Sequence, residues 1–298
     1  MPNEIFGVYP AVVTPFGDDG APDIDMLAAH CRGMLADGCH GLSILGTTGE
    51  ANSLTVEERL GILDGLVERG IPPETLLPGL GCSAVADTIR MVRAALALGT
   101  TRVLLLPPFY YKYADDEGLF AAYAHVIEEV GDARLRVVLY HIPHVSGIAI
   151  SEALIARLLA TYPGIVAGIK DSSRNVESLR AKCAFANFSV LAGTELLMLQ
   201  TLGFGGTGCI AAMANVNPRA TRELYDAHGS ANAPLLQVEA ERFAKVVEAA
   251  PTIASLKTLL AQRSGDARWL NMRPPLRRLH AGERERLLKE PDAASVPA

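Results

Sequence analysis

The chain has 298 residues, 49% hydrophobic and 20% charged, with a formal net charge of −6 and a pI near 5.7. This is soluble globular composition, long enough for one large domain with a buried core, and its acidity argues against nucleic-acid and anionic-membrane partners, which call for a basic face. Five scattered cysteines without a CxxC pair, no signal-like N-terminus and no apolar stretch of membrane-spanning length exclude a disulfide framework and a cysteine zinc site, and make the cytoplasm the expected location.

In chain order, apolar runs rich in strand formers recur as VYPAVV (8–13), GLSILG (41–46), TLLPGLG (75–81), TRVLLL (101–106), LRVVLY (135–140), GIVAGIK (164–170), FSVLAG (188–193) and GTGCIAA (206–212). Val, Ile and Leu without polar alternation suit strands buried on both faces. Between the runs, helical periodicity is clearest over 25–36, 56–68, 84–98, 116–130 and 152–159. Ser53-Leu54-Thr55-Val56-Glu57-Glu58 and Ser151-Glu152 place a hydroxyl before a helix and carboxylates in its first turn. Gly70 and Gly99 stand where helices should stop.

Eight strand-like runs alternating with helices predict an α/β fold, a (β/α)8 TIM barrel with additional C-terminal helices. A doubly wound open sheet is the alternative, weakened by the lack of a GxGxxG after the first run. Residues 1–225 are expected to form the catalytic barrel and 226–298 a helical extension packed on it, its tail from about 265 only partly ordered.

A barrel carries its active site at the C-terminal ends of its strands. Lys170 ends the sixth run, in VAGIKDSS, where a lysine either snorkels to solvent or is wanted as an amine. In the second case it is a Schiff-base nucleophile: a neutral amine attacks a ketone, and the resulting iminium accepts electrons from a bond nearby. GTTGE (46–50) follows the second run. It is either a turn with a helix cap or an anion cradle, with Gly46 and Gly49 admitting a ligand to the backbone and Thr47 and Thr48 supplying hydroxyls and N–H groups. Tyr140 ends the fifth run in LYHIPHVSG and is either a packing residue or a phenol that passes a proton to a substrate oxygen. Tyr110 and Tyr111, in PPFYYK (107–112), put two more phenols after the fourth run, as interface anchors or as site residues. A metal-dependent hydrolase is not expected, because His30, His125, His228 and His280 fall in helical or tail segments and no metal set converges from strand ends.

GTTGE, Tyr110-Tyr111, Tyr140-x-x-Pro143 and GIKD together resemble the dihydrodipicolinate synthase and N-acetylneuraminate lyase family of class I, pyruvate-handling lyases. The resemblance runs from GVYPAVVTPF to about Val216 and returns in NMRPPLRRL (271–279). It implies that Lys170 forms the imine with pyruvate or a longer 2-keto acid, that Thr47 and Thr48 hold the carboxylate and join a proton relay, and that Tyr140 is the acid/base. It also implies that Tyr111, with Tyr110 before it, is the tyrosine that reaches a neighbouring subunit's site in a homotetramer. The lysine is the electron sink, so neither metal nor organic cofactor is implied.

Family members that make the lysine precursor usually carry an arginine where this chain has Val145, and an aliphatic side chain cannot pair with the carboxylate of aspartate semialdehyde. The departure favours reversible aldol cleavage of a 2-keto-3-deoxy sugar acid to pyruvate and an aldehyde. Dihydrodipicolinate synthesis, a 2-keto acid dehydratase or deaminase, and a non-catalytic keto-acid binder are the alternatives. His141 and His144 are packed imidazoles or contacts to the substrate's distal end; Glu195, after Gly193 in AGTE, is a hydroxyl-binding residue or a first-turn helix carboxylate. Ile210, within GTGCIAA, offers a backbone carbonyl to the site.

Overall fold

A computed structural model of the protein describes residues 5–290. Strand β1 (Gly7–Pro10) is followed by helices α1 (Ile24–Ala36), α2 (Val56–Glu68) and α3 (Val85–Ala97). Strand β2 (Arg102–Leu105) leads to α4 (Asp116–Val130), and β3 (Arg136–His141) to the one-turn α5 (Pro143–Ser146) and α6 (Glu152–Thr161). Then come β4 (Val166–Asp171) with α7 (Val176–Cys183), β5 (Ser189–Ala192) with α8 (Met198–Gly203), and β6 (Gly208–Ala211) with α9 (Pro218–Asp226). Helices α10 (Ala233–Glu248), α11 (Thr252–Ser264) and α12 (Ala281–Lys289) follow. The strands form one six-stranded sheet in the order β1-β6-β5-β4-β3-β2, with β2 to β6 paired in parallel.

Six of the eight expected runs are therefore strands. The other two, 41–46 and 75–81, are corrected to isolated bridge residues, among them the parallel bridges of Ser43 with Ala11 and of Gly79 with Leu104. Each bridge has two hydrogen bonds, one accepted by a proline carbonyl, Pro10 or Pro78. Proline has no N–H to extend such a ladder, and Leu45 turns into the left-handed region at φ 56°, which ends the first of these runs. The tail is also more regular than expected, with α12 formed inside it; its last eight residues lie outside the described part.

The chain divides into two compact units. The first holds the described residues up to Val8 and Pro72–Ile210. Its central strands are buried on both faces, with Val103, Val137, Leu139, Ile169 and Val190 all fully enclosed, which is why they lack polar alternation. Helix α3 packs on α4, and α4 on α6. Ser151 caps α6 by accepting the Leu154 N–H at 3.0 Å.

The second unit holds Tyr9–Ile71 and the described chain from Ala211. Here α1 packs on α2, and α9, α10, α11 and α12 pack in succession. Thr55 and Glu58 form a reciprocal capping box on α2, and Gly70, at φ 79°, follows that helix as expected. Asn215 ties the end of β1 to α1. Its amide donates to the Ala11 carbonyl at 2.8 Å, and its oxygen accepts from Val13 N–H at 3.0 Å and His30 Nε2 at 3.2 Å. Trp269 packs edge-on to the His30 ring. No helix among the described residues is long and apolar enough to cross a membrane.

Burial pushes the His30 imidazole down to about 4, against the usual 6.5. The folded value lies below the unfolded one, so between about pH 6.5 and 4 the unfolded chain takes up a proton that the folded chain excludes, and stability falls as pH falls through that window. The full shift would be worth roughly 3 kcal/mol. Because His30 keeps partial solvent exposure, the expected loss is nearer 1–2 kcal/mol. His30→Gln keeps a donor for Asn215 and does not titrate. Its urea midpoint should fall less between pH 7 and 4.5 than that of the wild type.

Candidate active site

In the first unit, the register of two neighbouring strands sets the central pair. Tyr140 of β3 stands directly beside Lys170 of β4, with Leu139 beside Ile169 below and His141 beside Asp171 above. Side chains alternate faces along a strand, so Tyr140 and Lys170 share one face while His141 and Asp171 share the other. Lys170 Nζ donates to Tyr140 Oη at 3.2 Å and lies 4.3 Å from the centroid of the phenol ring. Both residues are buried, at 4% and 3% exposure, so Lys170 does not snorkel to solvent. No carboxylate among the described residues forms an ion pair with it. A primary amine in hydrogen-bond reach of a phenol is a nucleophile beside an acid/base.

The adjacent carboxylate is directed elsewhere. Asp171 accepts Lys182 Nζ from α7 at 2.6 Å, Ser178 Oγ at 3.0 Å and the Ser173 N–H at 2.8 Å. Burial works to raise the Asp171 carboxyl, but the Lys182 ammonium and these hydrogen bonds outweigh it and hold it below the usual carboxylate range. The pair is fully enclosed. Asp171 thus neutralises Lys182, and Lys170 keeps its amine for the opposite face.

His141 belongs to this second face. Its Nδ1 accepts the Ile150 N–H at 3.0 Å, which leaves the ring proton on Nε2. Burial, followed by the Lys182 charge, pushes its pKa down. The structure packs His141 as a neutral connector and does not bring it to Lys170. His144 and Val145 lie on the exposed side of α5, with Val145 57% exposed. Tyr110 and Tyr111 are exposed at 72% and 59%, and their rings meet edge-to-face, with Tyr113 beyond. Neither tyrosine touches Lys170 within this chain. Lys112 donates to the Phe109 and Ser146 carbonyls, tying the tyrosine loop to the segment after β3.

Gly193 follows β5 and its N–H donates to the Asp171 carbonyl at 2.7 Å. A Cβ there would fall 2.0 Å from Ser172 Oγ, so only glycine lets the chain pass. Glu195 is buried and opens the 3-10 turn Glu195–Leu197, capped by Thr194. Ile210 is buried within β6.

In the second unit, Gly46 to Glu50 form a tight turn. Gly49 and Ala51 N–H groups donate to the Gly46 carbonyl at 3.1 and 3.2 Å, and Glu50 N–H to the Thr47 carbonyl at 3.1 Å. Those three N–H groups are therefore committed to the turn itself. Thr48 makes no hydrogen bond to any described residue, and both threonines are half-buried. Two groups that sequence reasoning missed are fully buried lysines, Lys182 on α7 of the first unit and Lys257 on α11 of the second, the latter paired with Glu50. No local signal marks either lysine as buried, although α11 encloses the whole stretch from Ala254 to Leu260.

A model of the dihydrodipicolinate synthetase family matches residues 4–293. The chain is 34% identical over 224 residues to a 4-hydroxy-tetrahydrodipicolinate synthase of Rhizobium meliloti, covering 74% of each chain. It superposes on dihydrodipicolinate synthase from Agrobacterium tumefaciens with a TM-score of 0.87 at 31% identity, covering 95% of this chain and 97% of the other. It also superposes on YagE, an E. coli K12 prophage protein of the dihydrodipicolinic acid synthase family solved in complex with pyruvate, with a TM-score of 0.86 at 26% identity, covering 95% and 96%.

Removing one partner of a buried ion pair strands the other charge. Lys182→Met should cost about 3–5 kcal/mol in urea unfolding, and Asp171→Asn/Lys182→Met should recover most of that loss.

Proposed function

Because the chain belongs to the dihydrodipicolinate synthetase family, whose members are lyases and synthases of the class I aldolase type, we propose that it cleaves a 2-keto-3-deoxy sugar acid reversibly to pyruvate and an aldehyde. The observation that carries this reading is the buried contact of 3.2 Å between Lys170 Nζ and Tyr140 Oη at neighbouring strand ends.

In the proposed sequence, the Lys170 amine adds to the C2 carbonyl and water leaves, giving a protonated imine. The C3–C4 bond then breaks, its electron pair passing into the iminium to give an enamine. The C4 hydroxyl loses its proton through Tyr140 and leaves as the aldehyde. Protonation of the enamine at C3 and addition of water to the imine release pyruvate and restore the amine. Thr47 and Thr48, between Gly46 and Gly49, bind the keto-acid carboxylate. Thr48, with its hydroxyl and N–H uncommitted among the described residues, suits that part.

The proposal extends to the surroundings. The expected division, residues 1–225 as the catalytic barrel and 226–298 as its helical extension, belongs to this reading. The chain works in the cytoplasm as a homotetramer whose exposed Tyr110 and Tyr111 complete a neighbouring site. Glu195 and His144 contact substrate hydroxyls, and Gly193 and the Ile210 carbonyl border the substrate.

A synthase reaction with aspartate semialdehyde is the second reading, favoured by the name of the Rhizobium meliloti relative. Val145 weighs against it, and Lys112, the nearby cation, is engaged by two carbonyls. Pyruvate release from a panel of 2-keto-3-deoxy acids, run beside aspartate semialdehyde condensation, separates the two. Turnover of the sugar acids with little condensation is expected; the reverse would favour the synthase. Lys170→Ala should abolish turnover, and Tyr140→Phe should lower kcat by about 10²–10⁴. Full activity in Lys170→Ala would refute the mechanism.

A further inference from the structure

Two residues other than glycine bracket the Gly46-Thr47-Thr48-Gly49 turn in the left-handed region, Leu45 and Glu50, each at φ 56°. Such a conformation is strained for a residue with a Cβ and persists where the surroundings over-determine it. Around Glu50 the surroundings are specific. Its buried carboxylate is ion-paired through Oε1 with Lys257 Nζ, 207 residues along the chain. Its other oxygen accepts the Arg273 N–H at 3.1 Å. Lys257, buried in turn, donates to the Asn271 carbonyl at 2.8 Å and lies 4.5 Å from the centroid of the Phe16 ring. The Asn271 amide donates to the Phe16 and Gly17 carbonyls at 3.0 and 3.1 Å. Opposite this network, Thr14 Oγ1 donates to the Gly49 carbonyl at 2.7 Å.

A buried ion pair is a poor source of net stability, because desolvation of both charges offsets much of their attraction. What it provides is a single geometry, and the group it holds here is the residue that ends the threonine turn. We propose that Glu50 and Lys257 are positioning residues for the reaction, fixing the backbone of residues 46–49 so that Thr47 and Thr48 meet the keto-acid carboxylate. Helix α11 thereby becomes part of the catalytic apparatus. The inference rests on the assignment of that carboxylate to the two threonines.

The double variant Glu50→Gln/Lys257→Met removes both charges and leaves no lone buried ion. Borohydride trapping of pyruvate gives two quantities, the pyruvate concentration for half-maximal trapping and the rate at saturation. The double variant should fold with a urea midpoint near that of the wild type, yet need at least about tenfold more pyruvate, since small displacements of positioning groups cost large factors. Should it fail to fold, Lys257→Arg, which keeps the charge and moves the donors, is read in the same way. A merely structural pair would change the urea midpoint and leave the half-maximal concentration where it was, and that result overturns the proposal. Absence of trapping in the wild type would instead overturn the imine reading beneath it.

Discussion

The constraint on which the site depends is the register between β3 and β4. One residue of slip would turn Tyr140 or Lys170 to the opposite face, because the side-chain period of a strand is two. In the observed register the two residues are neighbours, and the amine finds a phenol. The same alternation sends Asp171 to α7, where Lys182 neutralises it. Two lysines and one aspartate lie close together, yet the aspartate is committed to Lys182 and not to Lys170. An amine with no carboxylate partner among the described residues, enclosed beside a phenol, is the arrangement that imine formation calls for.

Much of this was legible in the sequence. The non-alternating runs predicted strands buried on both faces, the capping signals located the starts of α2 and α6, and periodicity located α4. Lys170 and Tyr140 stood out as polar residues ending apolar runs, and the structure brings them together. His141 could have been placed by the same reasoning: as the neighbour of Tyr140 in a strand, it must face the other way. The two bridges at Ser43 and Gly79 were harder, since prolines limited their pairing from the partner strand in one case and from within in the other.

The buried ion pairs were not legible. A lysine on a helix is ordinarily solvated, and its burial depends on a carboxylate contributed by another segment, as Glu50 is for Lys257. Sequence pattern reports local period, whereas these pairs are set by tertiary packing. The same limit applies to specificity. Val145 is mostly exposed on a one-turn helix, and its neighbourhood includes Lys112, whose charge is engaged by the Phe109 and Ser146 carbonyls. The position lacks the bidentate donor that a second carboxylate would require, which is why the proposed substrate yields a neutral, hydroxylated aldehyde.

The account turns on whether Lys170 is the residue that becomes covalently joined to a keto acid. Borohydride reduction in the presence of pyruvate, followed by peptide mass mapping, decides this most directly. The account predicts a single adduct on the peptide carrying Lys170, with Lys182 and Lys257 unmodified. An adduct confined to another lysine, or none with pyruvate or any longer 2-keto acid, would contradict it.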